Sequence, residues 1–341
     1  MTDEPMLLIR ESSRNLLKSN RRIHKNEQND IYRKLEETRL ARETIVDIVN
    51  KLKTKSITAM ELDILKNSIL DDQNNIEVVL SNQGSLRGLV RELSGTDVTK
   101  QLAAAGCCCN IALGDAKACV TIAKAAGLYL VTALDNFNTE LAVLCAWTLG
   151  NIAGSGHRAC VALHSRGVLT KVTALLTHHL LCDAALYAAT HLAYHMKDDL
   201  SKEYVEKWTQ ILVKMNLSME SSHLLFILSC HVDFALPQEE LYRVLQFTYV
   251  SIQKHCAECS GTKMCCELVY LLRTLANSDI SETGAIIINY FDANLGVECF
   301  KTILKSNNCT VSDALTWLLG NVLNVCGENS FVNKLLMTTA S

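Results

Sequence analysis

The sequence predicts an all-α solenoid of stacked three-helix repeats, and three observations carry that expectation. An apolar run ending in a small polar anchor recurs about every forty residues, as Ala146-Trp147-Thr148-Leu149-Gly150-Asn151-Ile152-Ala153 and finally as Thr316-Trp317-Leu318-Leu319-Gly320-Asn321-Val322. Aligned on that anchor, Asn110, Asn151, His191, His231, Thr274 and Asn321 stand 41, 40, 40, 43 and 47 residues apart. A fixed period of this size belongs to repeat arrays rather than to one globular core. Glycines hold the same phase: Gly84, Gly127, Gly167 and Gly296 precede Asn110, Asn151, His191 and Asn321 by 26, 24, 24 and 25 residues. Finally, alternating runs bounded by Asn-Gly or Asp-Gly are missing. Apolar residues recur instead at helical spacing, as in Val168, Val172, Leu175 and Leu176.

Each unit reads in order as a short helix, a glycine turn, a second helix, a polar loop and a long third helix that carries the anchor. Val78-Val79-Leu80 before Gly84, Val120-Thr121-Ile122 before Gly127 and Val161-Ala162-Leu163 before Gly167 end the first helices. Glycine at those points fits a left-handed helix terminus, from which the chain turns sharply into the next helix. With 341 residues, 49% of them hydrophobic, and only Pro5 and Pro237 to interrupt helices, about six such repeats are accommodated. Repeats of this kind expose one continuous surface, which favours binding over catalysis.

Charge divides the chain. Residues 1–60 hold thirteen Lys and Arg against nine Asp and Glu, and the remainder holds 20 against 27. The expected organisation is therefore a basic, partly helical leader over 1–60 and an acidic repeat body over 61–341. Such a leader can fold back on the body or dock on an acidic partner. The body carries neither a strongly basic face nor an aromatic-basic pattern, so nucleic acid is not an expected partner.

Other function classes find little support. The fifteen cysteines include Cys107, Cys108, Cys109, Cys145, Cys230 and Cys326 in anchor-helix stretches, where free cysteine acts as a small buried hydrophobe. The start Met1-Thr2-Asp3-Glu4-Pro5 lacks a secretory apolar region. His255-Cys256-Ala257-Glu258-Cys259 with Cys265-Cys266 has thiols for zinc but no second Cys-x-x-Cys pair, and helical packing explains it better. His191 and His195 share a helix face without an evident third ligand, and His178-His179 reads as a solvated helix end. No metal or other cofactor is expected. The longest stretch without Asp, Glu, Lys or Arg, Leu141–Gly156, falls short of the ~20 apolar residues a membrane span needs, so no span is expected. Gly-x-Ser-x-Gly, the phosphate-cradling glycine loop and His-Glu-x-x-His are missing, and no enzyme is expected.

Ala146-Trp147-Thr148-Leu149-Gly150-Asn151-Ile152-Ala153-Gly154, followed by a short helix and Arg166-Gly167-Val168-Leu169, resembles an armadillo repeat of the importin-alpha type. The resemblance spans roughly residues 70 to 335, and the layout is also similar to the transmembrane and coiled-coil domain protein 6 family. It implies an armadillo-type superhelical solenoid whose third helices line a concave groove for basic import-signal peptides. In that groove a Trp and an Asn four residues apart act together: the amide pairs with peptide main chain, and the indole faces a Lys or Arg stem. Trp147 with Asn151 and Trp317 with Asn321 keep both members; Asn110 keeps the amide with Gly106 in place of the indole, and Tyr187 with His191 replaces both. Ser155 stands where the family places an acid, and Asp115 is the candidate to supply that charge one repeat earlier. The leader resembles an importin-beta-binding segment, with Arg10, Arg14, Lys18, Arg21, Arg22 and Lys25 as expected contacts to an importin-beta-type carrier. The role implied is an import adaptor working in cytoplasm and nucleus; a generic armadillo scaffold for another protein is the alternative.

Overall fold

Third helices made largely of small residues explain how the chain packs. The computed structural model describes residues 42–257, 266–305 and 309–326, whose regular structure is entirely α-helical. They belong to two compact units, one ending at Met196 and the other beginning at Lys197.

The first unit opens with α1 (Arg42–Thr54) and α2 (Ala59–Asp71), followed by α3 (Asn74–Ser81), α4 (Ser85–Leu93) and α5 (Val98–Ile111). Next come α6 (Ala116–Ala133) and α7 (Thr139–Ala153), then α8 (His157–His164), α9 (Val168–Leu175) and α10 (Cys182–His195). The third helices α2, α5, α7 and α10 pack on one another in that order. In α5 the run Ala103-Ala104-Ala105-Gly106-Cys107-Cys108-Cys109-Asn110 is buried throughout, because neighbours cover it on every side. Small side chains let those neighbours come close, and the pattern is that of an interior helix rather than an amphipathic surface one. Burial pushes the Cys108 thiol upward, and raises those of Cys145 and Cys160 to about 12. These thiols behave as core hydrophobes. The boundary expected at 60/61 falls inside α2, whose neighbour α1 buries Ile45, Val49 and Leu52 and contacts α2, α3 and α4.

Local chemistry sets the helix ends. Thr58 and Glu61 form a reciprocal capping box at α2, and the Asp97 side chain accepts from the Thr99 and Lys100 backbone at α5. Gly84 and Gly167 take φ of 88° and 80°, left-handed turns between first and second helices as the sequence predicts. Gly127 differs. No turn forms there; the first and second helices fuse into the 18-residue α6. The flanking alanines favour helix, and Gly127 instead admits the Arg166 and Leu163 side chains, which an added Cβ would meet at 3.0 and 3.2 Å. By length and composition α6 could cross a bilayer, a test that a core helix also passes. It carries Lys117 and Lys124, and it buries Ile122, Leu130 and Val131 while packing on α4, α7 and α8.

The second unit repeats the plan with α11 (Lys202–Lys214), α12 (Met219–Ser229), α13 (Gln238–Ala257), α14 (Cys266–Asn277), α15 (Ile280–Asn294), α16 (Gly296–Leu304) and α17 (Cys309–Cys326). Its third helices α12, α14 and α17 form a second packed row. Trp208, Phe291 and Phe300 are fully buried in its core. Among the described residues the first unit holds four third helices, the first of them with α1 alone before it, and the second unit holds three. Two expectations are corrected here. His231 lies in a turn beyond α12 rather than on a third helix, and its Nδ1 accepts from the Asp233 N–H at 3.1 Å. Cys230 caps the same helix and is exposed rather than buried.

Candidate functional site: the third-helix rows

In the first unit the third helices run parallel, since the contacts between them keep the same order. Cys107 Sγ donates to the Leu62 carbonyl and, one turn on, Asn110 Nδ2 donates to the Lys66 carbonyl at 2.5 Å. Asn151 Nδ2 lies 3.5 Å from Cys109 Sγ, and the Tyr187 hydroxyl donates to Asn151 Oδ1 at 2.9 Å. The anchor residues are thus staples between neighbouring repeats. Asn110 and Asn151 are buried, and the contacts of Asn151 use one of its two N–H donors and one acceptor lone pair.

The aromatic members form a continuous run. The half-buried Trp147 ring sits 4.6 Å from the Tyr187 ring, which meets the buried His191 edge-on at 4.7 Å. Tyr187 reaches this place because Gly150 has no side chain: a Cβ there would lie 2.4 Å from Tyr187 Cδ1. The neighbouring repeat lacks an aromatic at this register. Lys66 lays its stem over Gly106 and pairs its ammonium with Asp63. Asp115 does not join the row's face; it caps α6 by accepting from the Ala118 N–H at 2.7 Å, with its side chain exposed.

The second unit holds Trp317 60% exposed on α17, four residues from Asn321, whose amide donates to the Ala276 carbonyl at 3.0 Å. Here the register differs from the one read in the sequence. Thr274 is buried and bonds within its own helix to the Tyr270 carbonyl. The side chain that spans to the preceding third helix is Asn277, which donates to Ser229 Oγ at 3.0 Å. Its signal is present in the sequence: Leu275-Ala276-Asn277 matches the Leu-small-Asn pattern of Leu149-Gly150-Asn151 and Leu319-Gly320-Asn321. On the shifted register Arg273 occupies the position that Trp147 and Trp317 hold elsewhere. Its guanidinium lies 5.9 Å from the Phe226 ring centre, so one of the chain's own cations covers that aromatic. Tyr270 stacks on His223 at 4.5 Å, and burial lowers the His223 pKa while raising that of Tyr270.

Among the described residues no group of three His, Cys, Asp or Glu side chains is placed to hold a metal. Of the thiol cluster, Cys256 and Cys266 are half-buried, and Cys259 and Cys265 lie outside the described residues. The six basic leader positions from Arg10 to Lys25 also lie outside them.

No family model matches this chain, and no curated protein matches it. Solved structures do. One engineered protein from a structural-genomics consortium aligns at TM-score 0.64 with 21% identity, over 82% of this chain and 68% of that one. Two further engineered proteins align at TM-scores of 0.53 and 0.52, each 22% identical, over 70% and 71% of this chain and 97% and 99% of theirs. These likenesses show the fold, an all-α repeat array, and nothing finer. Two designed armadillo repeat proteins align at TM-scores of 0.46 and 0.45, a likeness too low to count for ligand or function.

Proposed function

We propose that the chain is a peptide-binding repeat protein of the importin-alpha kind, an adaptor that receives a basic import signal on the third-helix row of its first unit. The observation that carries this reading is the Trp147–Tyr187 pair, half-exposed rings at 4.6 Å on the same helix faces as Asn151 and His191. A Lys or Arg stem laid on that pair gains apolar contact and cation–π attraction, and the unused N–H of Asn151 is left for the peptide main chain. The excess of acid over residues 61–341 favours a basic ligand in encounter. Trp317 with Asn321 is the corresponding pair in the second unit. The leader positions Arg10, Arg14, Lys18, Arg21, Arg22 and Lys25 belong to the same proposal as carrier contacts, with work in cytoplasm and nucleus.

The test is fluorescence polarisation of a labelled Lys-rich import-signal peptide. Saturable binding that weakens with salt and is lost on Trp147→Ala supports the reading; no binding, or binding indifferent to Trp147, refutes it. Trp147→Ala is preferred to any change at Asn151, whose contacts hold two repeats together. Deleting residues 1–41, which leaves α1 intact, tests the leader: tighter peptide binding is expected if it competes for the row. The stapling of Asn110, Asn151 and Asn321 between repeats favours a second reading, a scaffold for another protein, which absence of peptide binding would select.

A further inference from the structure

The first unit bears a second surface, at the opposite end of its third helices from the anchor residues. Because α2, α5, α7 and α10 run parallel and pack in order, their N-terminal ends line one edge; the Lys100 ammonium of α5 reaching the Ile57 carbonyl ahead of α2, at 2.8 Å, marks that alignment. Each end carries one exposed apolar side chain within two residues of its cap: Met60 73%, Val98 48%, Phe137 105% and Leu180 57% exposed. Single exposed apolar residues need no explanation, but one at each successive helix start, inside the cap on α2 and α5 and just outside it on α7 and α10, lines the edge. Three acids stand beside it, Asp97, Glu140 and Asp183, all exposed and none ion-paired within the described residues. Three cations of this unit are already engaged: Lys51 with Glu61, Lys171 with Asp135, and Lys100 with Glu92 and the Ile57 carbonyl.

We propose that this edge docks a basic amphipathic helix from a partner protein. Packed helices stand roughly 8–10 Å apart, and a heptad step along an α-helix advances about 10.5 Å. One apolar residue per heptad therefore meets one anchor per repeat. A partner helix of about 20 residues spans the four anchors. Lys and Arg on its flanks face Asp97, Glu140 and Asp183. The same acids oppose an anionic bilayer and a second copy of this edge, which favours the basic helix over both.

The probe is a labelled synthetic 22-residue helical peptide with Leu at every seventh position and Lys on the flanks, titrated by fluorescence anisotropy into the full chain. Saturable binding is expected, weakened roughly tenfold or more by Phe137→Ser/Leu180→Ser and also weakened by Glu140→Lys/Asp183→Lys. All four side chains are exposed, so the Ser variant keeps the wild-type helicity and melting temperature, while the Lys variant, with cations in two first helical turns, melts slightly lower but stays folded. Trp147→Ala leaves edge binding unchanged, and Phe137→Ser/Leu180→Ser leaves import-signal binding unchanged, so each surface can fail alone. Absence of binding, or equal binding by the Ser double variant, overturns the proposal. So does Phe137-dependent binding to anionic vesicles, or Phe137-dependent dimerisation, without peptide binding.

Discussion

Replacing Gly150 by alanine drives a methyl group into the Tyr187 ring. The added Cβ meets Tyr187 Cδ1 at 2.4 Å, Cε1 at 2.6 Å and the Ala188 Cα at 3.3 Å. The ring must move, and its hydroxyl then loses Asn151 Oδ1. Overpacking of this kind costs about 1–3 kcal/mol, and the lost hydrogen bond about 0.5–1.5 kcal/mol. Against them stands the helix preference of Ala over Gly, about 1 kcal/mol. The sum leaves α7 less stable by roughly 0.5–3.5 kcal/mol. Gly320 stands at the same place in its own Leu-Gly-Asn run, yet among the described residues nothing lies within 4 Å of its added Cβ. Gly320→Ala should therefore stabilise α17 by up to about 1 kcal/mol. The same substitution in the same motif thus takes opposite signs. Amide hydrogen exchange read helix by helix measures both without assuming that the two units unfold together. A stabilising Gly150→Ala would refute the placement of Tyr187 on Gly150, and with it the aromatic pair on which the peptide reading stands.

Other outcomes follow from the same contacts. Asn110→Ala removes the staple to the Lys66 carbonyl and should cost about 1–3 kcal/mol in urea denaturation; a loss below about 0.5 kcal/mol would show that the staple contributes nothing to stability. The Lys51 ammonium, then the Thr58 N–H, hold the Glu61 carboxyl down to about 2. A depressed carboxylate stabilises the fold above its ordinary value and loses that contribution as pH falls from 4.5 towards about 2. Wild-type melting temperature should accordingly fall more steeply over that window than that of Glu61→Gln, and parallel curves would refute it. Alkylation mapped by mass spectrometry should label the exposed Cys230 in the native chain while sparing Cys107, Cys108, Cys109 and Cys145 until denaturant is added.

Helicity, the forty-residue period and the glycine turns at Gly84 and Gly167 were all legible in the sequence. Each depends on local propensity or on which face of a helix a residue occupies, and spacing along the chain encodes both. Period alone set the anchors at His231 and Thr274, and there it failed. The first lies past the end of its helix, and the second gives way to Asn277, because loop and helix lengths vary between repeats while stapling follows distance in space. Gly127 misled for a related reason: a glycine in register reads as a turn, but its helical use depends on Leu163 of α8 and Arg166 of the turn that follows it. The partners of the anchor amides, the seat of Tyr187 on Gly150 and the covering of Phe226 by Arg273 were decided only in the tertiary structure. They depend on how closely two third helices approach, and that distance is set by the packing of all their neighbours at once.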